Sequence, residues 1–207
     1  MYFMQKAQLI LASASPRREE LLSLAGISFQ VIPGKVSEGM VGNETPEEHV
    51  LRLSEAKAAS IAGLYPDAWV LGADTVVIID GEVLGKPTRR EEARVMMRKL
   101  SGRTHRVMTG FTILKATTKA GVRKAVTSAV TFRQMTAEEM EWYIETDEPY
   151  DKAGGYAVQG RAALFIREIS GSHTNVIGLP ICEVVEALHE VGAIDFGEED
   201  GHVGRSG

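Results

Sequence analysis

At 207 residues, with 44% hydrophobic and 25% charged content, the chain can bury a substantial core as one domain or as two small lobes. A net charge of −5 argues against a protein that coats nucleic acid, and no Lys/Arg run interleaved with aromatics reverses that. Any polyanionic ligand must therefore be met by a local cluster of cations. One cysteine, Cys182, excludes an intrachain disulfide framework and a cysteine-rich zinc site, and points to a reducing compartment or to chemistry indifferent to redox.

The opening MYFMQKAQLILASAS ends in small residues, but Gln5, Lys6 and Gln8 interrupt what would have to be an apolar signal core, so it reads as a mature cytoplasmic start. No stretch approaches the roughly 20 apolar residues that cross a bilayer, and no membrane partner is expected. The Asn43-Glu44-Thr45 sequon has no meaning without secretion. Leu9 to Ala12 reads as a buried strand, and Pro16 suits the first position of a helix capped by Ser15. Three residues after that cap, where Glu or Gln is usual, stands Arg18. Free backbone N–H groups, the hydroxyls of Ser13 and Ser15, and the guanidinium groups of Arg17 and Arg18 thus converge, as in a phosphate or carboxylate site. The plain alternative is a Ser-Pro helix start whose arginines face water or nearby carboxylates.

Next come a strand over ISFQVIPG and a helix from Pro46 to Leu64, opened by Thr45 with Glu47 and Glu48 in its first turn. Val70 to Ile79 is the most apolar strand and continues through Asp80-Gly81 into Glu82 to Leu84 as a hairpin. A helix over Thr88 to Leu100, strands over Arg106 to Lys115 and Val126 to Arg133, a helix over Ala137 to Thr146, a strand over Ala163 to Ile169 and a helix over Pro180 to Val191 complete the pattern. Strands and helices alternate with a hairpin among them, which favours an α/β fold with a mixed sheet. Residues 1–195 are expected to form one unit of two lobes, without a boundary visible in composition, and the glycine-rich tail from Phe196 to Gly207 is expected to be disordered.

Asp74 interrupts the strand VLGADTVVIID, where an unpaired buried carboxylate would cost several kcal/mol by order of magnitude, so it needs a cation. A structural ion pair and a metal both satisfy that need. Glu38, in the loop VSEGM, is either a second metal ligand or a solvated loop residue. Lys57 shares a helix face with Val50, Leu53 and Ile61, and there either snorkels or points at an anion. Lys86 sits between Gly85 and Pro87 in GEVLGKPT, which has one residue too few between its glycines for a P-loop. His105 and His173 lack metal-ligand spacing and read as structural histidines. No G-x-S-x-G supports a serine hydrolase. DKAGGYAVQG is a glycine-rich loop carrying Asp151, Lys152, Tyr156 and Gln159, whose glycines allow close approach of a ligand or simply serve a turn.

The ordered blocks LASASPRREELL, GADTVVIIDGEVLGKP, LSGRTHRVMTG, EPYDKAGGYAVQG and GLPICEV together resemble the Maf family of nucleoside triphosphate pyrophosphatases, from about Leu9 to Val191. The resemblance implies an α/β fold similar to the inosine triphosphate pyrophosphatases, with a cleft between two lobes and cleavage between the α and β phosphates. It places Asp74 at the general-base position, Arg17, Arg18, Lys57 and Lys86 at positions associated with the triphosphate, and Glu38 near a divalent metal, Mg²⁺ or Mn²⁺. Such a set suits a polyanionic substrate and a water that must be activated. Arg17, Thr75 and Gln159 match the dTTP/UTP subgroup, which implies a pyrimidine nucleotide substrate and a house-cleaning role against modified pyrimidines. The resemblance leaves monomer and homodimer both open. A nucleotide-binding regulator of division or stress with little turnover is the alternative, which an intact Asp74, Lys57 and Lys86 disfavour.

Overall fold

The computed structural model describes residues 3–196. In chain order the elements are β1 (Phe3–Gln5), β2 (Leu9–Leu11), α1 (Pro16–Leu24), β3 (Gln30–Val31), α2 (Pro46–Ala62), β4 (Trp69–Ile79), β5 (Glu82–Leu84) and α3 (Arg90–Leu100). They continue with β6 (Thr104–Lys115), β7 (Ala120–Phe132), α4 (Ala137–Ile144), β8 (Ile166–Ser170), α5 (His173–Ile177), α6 (Ile181–Glu190) and β9 (Ile194–Phe196). The tail expected to be disordered lies outside the described residues, apart from Phe196, which ends β9.

The mixed sheet expected from the alternation of elements is present, ordered β3-β2-β4-β6-β7-β8 with β5 added to β4. Pairings of β2 with β3 and β4 are parallel, and the remainder are antiparallel. The Asp80-Gly81 turn has positive φ at both residues, as a type I′ two-residue hairpin requires. Thr45 and Thr136 each form a complete capping box, with Glu48 and Glu139.

The structure departs from the expected elements in several places, and β7 begins six residues before the expected Val126, at Ala120. The strand over ISFQVIPG is reduced to Gln30–Val31, an exposed pair at the sheet's edge that has only β2 to bond to. The strand expected from Ala163 begins at Ile166, because Arg161–Leu164 coils into a 3-10 turn whose first two N–H groups are taken by the Glu148 carboxylate. Finally β1 and β9, from opposite ends of the described chain, pair in a separate antiparallel ribbon that no local pattern announced.

Alternation along β4 sorts the core. Trp69, Leu71 and Ala73 join Leu9, Leu11, Phe111 and Ile113 beneath α1 and α6, while Val77 and Ile79 join Met97, Leu100, Phe132, Tyr143 and Phe165 beneath α3 and α4. The even-numbered positions face α2, where Val70 meets Ala58 and Ile61, and Val76 and Ile78 meet Val50. Helix α2 lies very close to the sheet. A Cβ at Gly72 would fall 2.2 Å from the Ser54 carbonyl oxygen, and one at Gly110 would fall 2.6 Å from the Val50 carbonyl. Two side-chain-free positions on neighbouring strands thus let the helix settle onto the sheet and bring Lys57 within reach of β4.

Candidate active site

The cleft arises from a gap in one sheet edge. On that side, β4 pairs with β2 through Trp69–Leu71 and with β5 through Val77–Ile79, so the edge from Gly72 to Val76 has no strand beside it. The chain leaving β2 turns into α1 on one side of the gap, and the chain leaving β5 presents Lys86 on the other. A cavity of about 650 Å³ occupies this place, lined by residues that include Ser13, Ser15, Arg17, Lys57, Asp74 and Gln159. Ligands bind at such breaks in α/β sheets because strand ends and helix N-termini meet there without filling the space.

Asp74 and Lys57 are both buried, and the Lys57 Nζ donates to Asp74 Oδ1 at 2.8 Å. The same ammonium lies 2.7 Å from Glu38 Oε1. Lys57 therefore points at an anion, in fact at two. The hydrogen bond from Lys57 holds the Glu38 carboxyl below the usual carboxylate range, with Lys86 and Arg18 adding to the effect. Asp74 Oδ2 makes no hydrogen bond within the described residues and adjoins the cleft.

The two arginines part company. Arg18 turns inward and is buried, donating from Nε to Gly178 O at 2.8 Å, from Nη1 to Ala73 O at 2.9 Å and Ser13 Oγ at 3.3 Å, and from Nη2 to Thr75 Oγ1 at 3.0 Å. Of its five N–H groups only one remains for a ligand. Burial lowers its pKa, against the pull of Asp74. Arg18 thus braces the open edge of β4 by satisfying a backbone carbonyl that a missing strand would have bonded. Arg17 stays in the cleft, where its nearest carboxylate is Asp151 at 3.8 Å.

Ser15 caps α1 without a side-chain bond, and its own N–H donates to Ser13 Oγ at 3.2 Å. Thr75 Oγ1 pairs with Thr109 Oγ1 at 2.9 Å on the sheet face opposite Asp74. Lys86 and Gln159 line the cleft, and neither makes a side-chain hydrogen bond within the described residues. Lys152 is assigned no triphosphate contact by the motif resemblance. It lines the same cleft, held by Glu148 O at 3.0 Å and by Asp151; its place in a glycine-rich loop with three other polar residues was the signal. His105 is structural, as its spacing suggested. It is buried edge-on to Phe132 and Tyr156, and Nε2 shares a 2.7 Å hydrogen bond with the Tyr156 hydroxyl.

The loop carboxylate of Glu38 and the strand carboxylate of Asp74 converge on the Lys57 ammonium, and a hard divalent ion takes one or two such carboxylates and completes its shell with phosphate oxygens and water. Among the described residues there is no cluster of three or more His, Cys, Asp or Glu at metal-binding spacing. Any such ion would thus rest on Glu38 and Asp74 with substrate oxygens.

Residues 8–191 match the family model described as Maf-like protein. The chain belongs to the Maf family. Relatives within it include proteins named dTTP/UTP pyrophosphatase from Syntrophus aciditrophicus, 57% identical over 91% of this chain and 92% of that protein, and from Geotalea uraniireducens, 49% identical over 92% and 98%. Among solved structures the Ham1 protein of Staphylococcus aureus, at 14% identity and a TM-score of 0.50 over 88% of this chain and 98% of that one, shares the fold. Within this Maf chain no described helix is long and apolar enough to cross a membrane.

Proposed function

We propose that this Maf protein is a pyrophosphatase that hydrolyses dTTP and UTP to the nucleoside monophosphate and pyrophosphate. The observation that carries the reading is the buried Lys57–Asp74 pair, joined from the solvent side by the exposed Glu38 carboxylate, in a cleft also lined by Arg17, Lys86 and Lys152. The names of relatives at 57% and 49% identity support the choice of nucleotides. A reducing cytoplasm suits a chain with one exposed cysteine.

In the reaction a water oxygen attacks the α-phosphorus, the bond from that phosphorus to the bridging oxygen breaks, and the electron pair leaves with pyrophosphate. Asp74 Oδ2, which has no hydrogen-bond partner among the described residues, takes the proton from the water, while Lys57 holds Oδ1 and fixes the carboxylate's orientation. Arg17, Lys86 and Lys152 offset the charge that gathers on the leaving pyrophosphate. A Mg²⁺ or Mn²⁺ ion held by Glu38 and Asp74 would add positive charge on the phosphate oxygens and make a bound water more acidic. Gln159 meets the base, because a neutral amide can both donate to a pyrimidine carbonyl and accept from the ring N–H.

The test is release of pyrophosphate from a panel of nucleoside triphosphates, with and without Mg²⁺ or Mn²⁺, for the parent and for Asp74→Asn. Turnover of dTTP and UTP is expected to fall by about 10²-fold or more in the variant, the scale of a lost general base, with folding retained. Near-parental turnover in Asp74→Asn would remove Asp74 from this role.

A further inference from the structure

The loop that presents Gln159 is gripped from behind by a carboxylate outside the cleft lining. Glu148 Oε2 accepts from the Arg161 N–H at 2.7 Å, and Oε1 accepts from the Ala162 N–H at 3.1 Å and from the Tyr143 hydroxyl at 3.0 Å. Three donors converge on one side chain, and two of them are the first free amides of the 3-10 turn that follows Gln159. A carboxylate has the acceptor capacity to take all three, and the bond from Arg161 is the shortest of them.

The loop itself has little slack. Gly160 N–H donates to Ala157 O at 3.1 Å, closing a tight turn with Gln159 inside it. Gly160 also lies so close to Glu148 that a Cβ there would fall 2.5 Å from the carboxylate. At the other end of the turn Tyr156 is buried, edge-on to Phe132 and hydrogen-bonded to His105. The backbone around Gln159 is thus pinned on both sides while the amide has no partner within the described residues. Pinned backbone with an uncommitted side chain is the arrangement that makes a recognition group selective, since the ordering cost is met before the ligand arrives.

We propose that Glu148 is the positioning residue for base recognition, setting the reach of the Gln159 amide through its bonds to Arg161 and Ala162. The proposal rests on the reading that Gln159 meets the base. Replacing one carboxylate oxygen by an NH₂ group in Glu148→Gln sets a donor against a backbone N–H and frees that end of the turn. Gly160→Ala reaches the same contact from the opposite side, since its Cβ displaces the carboxylate without altering it.

The experiment measures kcat and KM for UTP, dTTP and GTP in the parent, Glu148→Gln, Gly160→Ala, Gln159→Ala and the Glu148→Gln/Gln159→Ala double variant. For both loop variants, preference for UTP over GTP is expected to drop about tenfold, the equivalent of one lost buried hydrogen bond, mainly through KM for the pyrimidine nucleotides. The double variant is expected to discriminate no worse than Gln159→Ala, because the two residues act through one contact. Additive losses in the double variant, or equal losses of kcat/KM for all three nucleotides, would overturn the role of Glu148. Unchanged discrimination in Gln159→Ala with a loss in Glu148→Gln would instead overturn the reading of Gln159 and leave the loop's anchoring to act through another group.

Discussion

Adjacent residues on one helix turn can have opposite duties, and Arg17 and Arg18 show why. Arg18 bonds to Ala73 O and Gly178 O in the interior, so Arg18→Ala leaves buried acceptors unsatisfied and is expected to destabilise the protein by several kcal/mol, each orphaned group costing about 1–3. Among the described residues the ion-pair partner of Arg17 is Asp151, at 3.8 Å, and Arg17→Ala is expected to leave the melting temperature nearly unchanged while lowering kcat/KM. Thermal melts beside steady-state kinetics separate the two, and equal melting losses would show that both arginines are structural. Gln159→Glu removes an N–H donor and sets an anion against a pyrimidine carbonyl. Its expected cost is about 1–3 kcal/mol in transition-state binding of dTTP or UTP, with a smaller loss for cationic 7-methyl-GTP. An equal fall for all three nucleotides would mean that Gln159 only shapes its loop.

Among the elements, α2 and β4 form the unit on which the site depends. Lys57 reaches Asp74 because α2 rests on Gly72 and Gly110, and the Gly72 contact is the tighter, at 2.2 Å from a prospective Cβ to Ser54 O. Even Gly72→Ala must push the helix outward. The expected cost is about 1–3 kcal/mol of stability, as for an overpacked core, together with a loss of kcat larger than the loss of stability explains, since the Lys57–Asp74 pair moves with the helix. Denaturant unfolding and kcat measured on the same samples decide this. Full activity in a destabilised Gly72→Ala would mean that the close approach serves packing alone. Much of this unit is legible in the sequence: the Thr45 capping box, the face shared by Val50, Leu53, Lys57 and Ile61, and the length of β4 all follow from local periodicity and turn chemistry. Which carboxylates Lys57 would find was not, because Glu38 approaches it from the loop before α2 and Asp74 from β4.

For the whole molecule, buried His105 couples stability to pH. Burial lowers its pKa from 6.5 to about 4, so the native state favours the neutral ring. Between those values the unfolded chain binds more protons than the native protein, and stability rises with pH. The contribution is complete above about pH 6.5 and is lost as pH falls toward 4, on the order of 3 kcal/mol for a shift of this size. His105→Gln, which keeps a polar partner for Tyr156, is expected to flatten that part of the curve. Unfolding free energies of parent and variant from pH 7 to 4 measure it, and identical slopes would assign the acid sensitivity to the carboxylates.

The order and kind of most elements, the hairpin at Asp80-Gly81, the two threonine caps and the Maf motifs were determined by the sequence itself, since each depends on residues a few positions apart. Tertiary structure alone decided that β1 pairs with β9, that Arg18 turns inward while Arg17 stays in the cleft, and that Glu148 anchors the turn beyond Gln159. Those outcomes depend on which carbonyls, amides and strand edges lie within hydrogen-bond reach after folding. In this chain that inventory is set by the gap between β2 and β5 along β4, where unpaired backbone and buried charge must find partners from distant parts of the sequence.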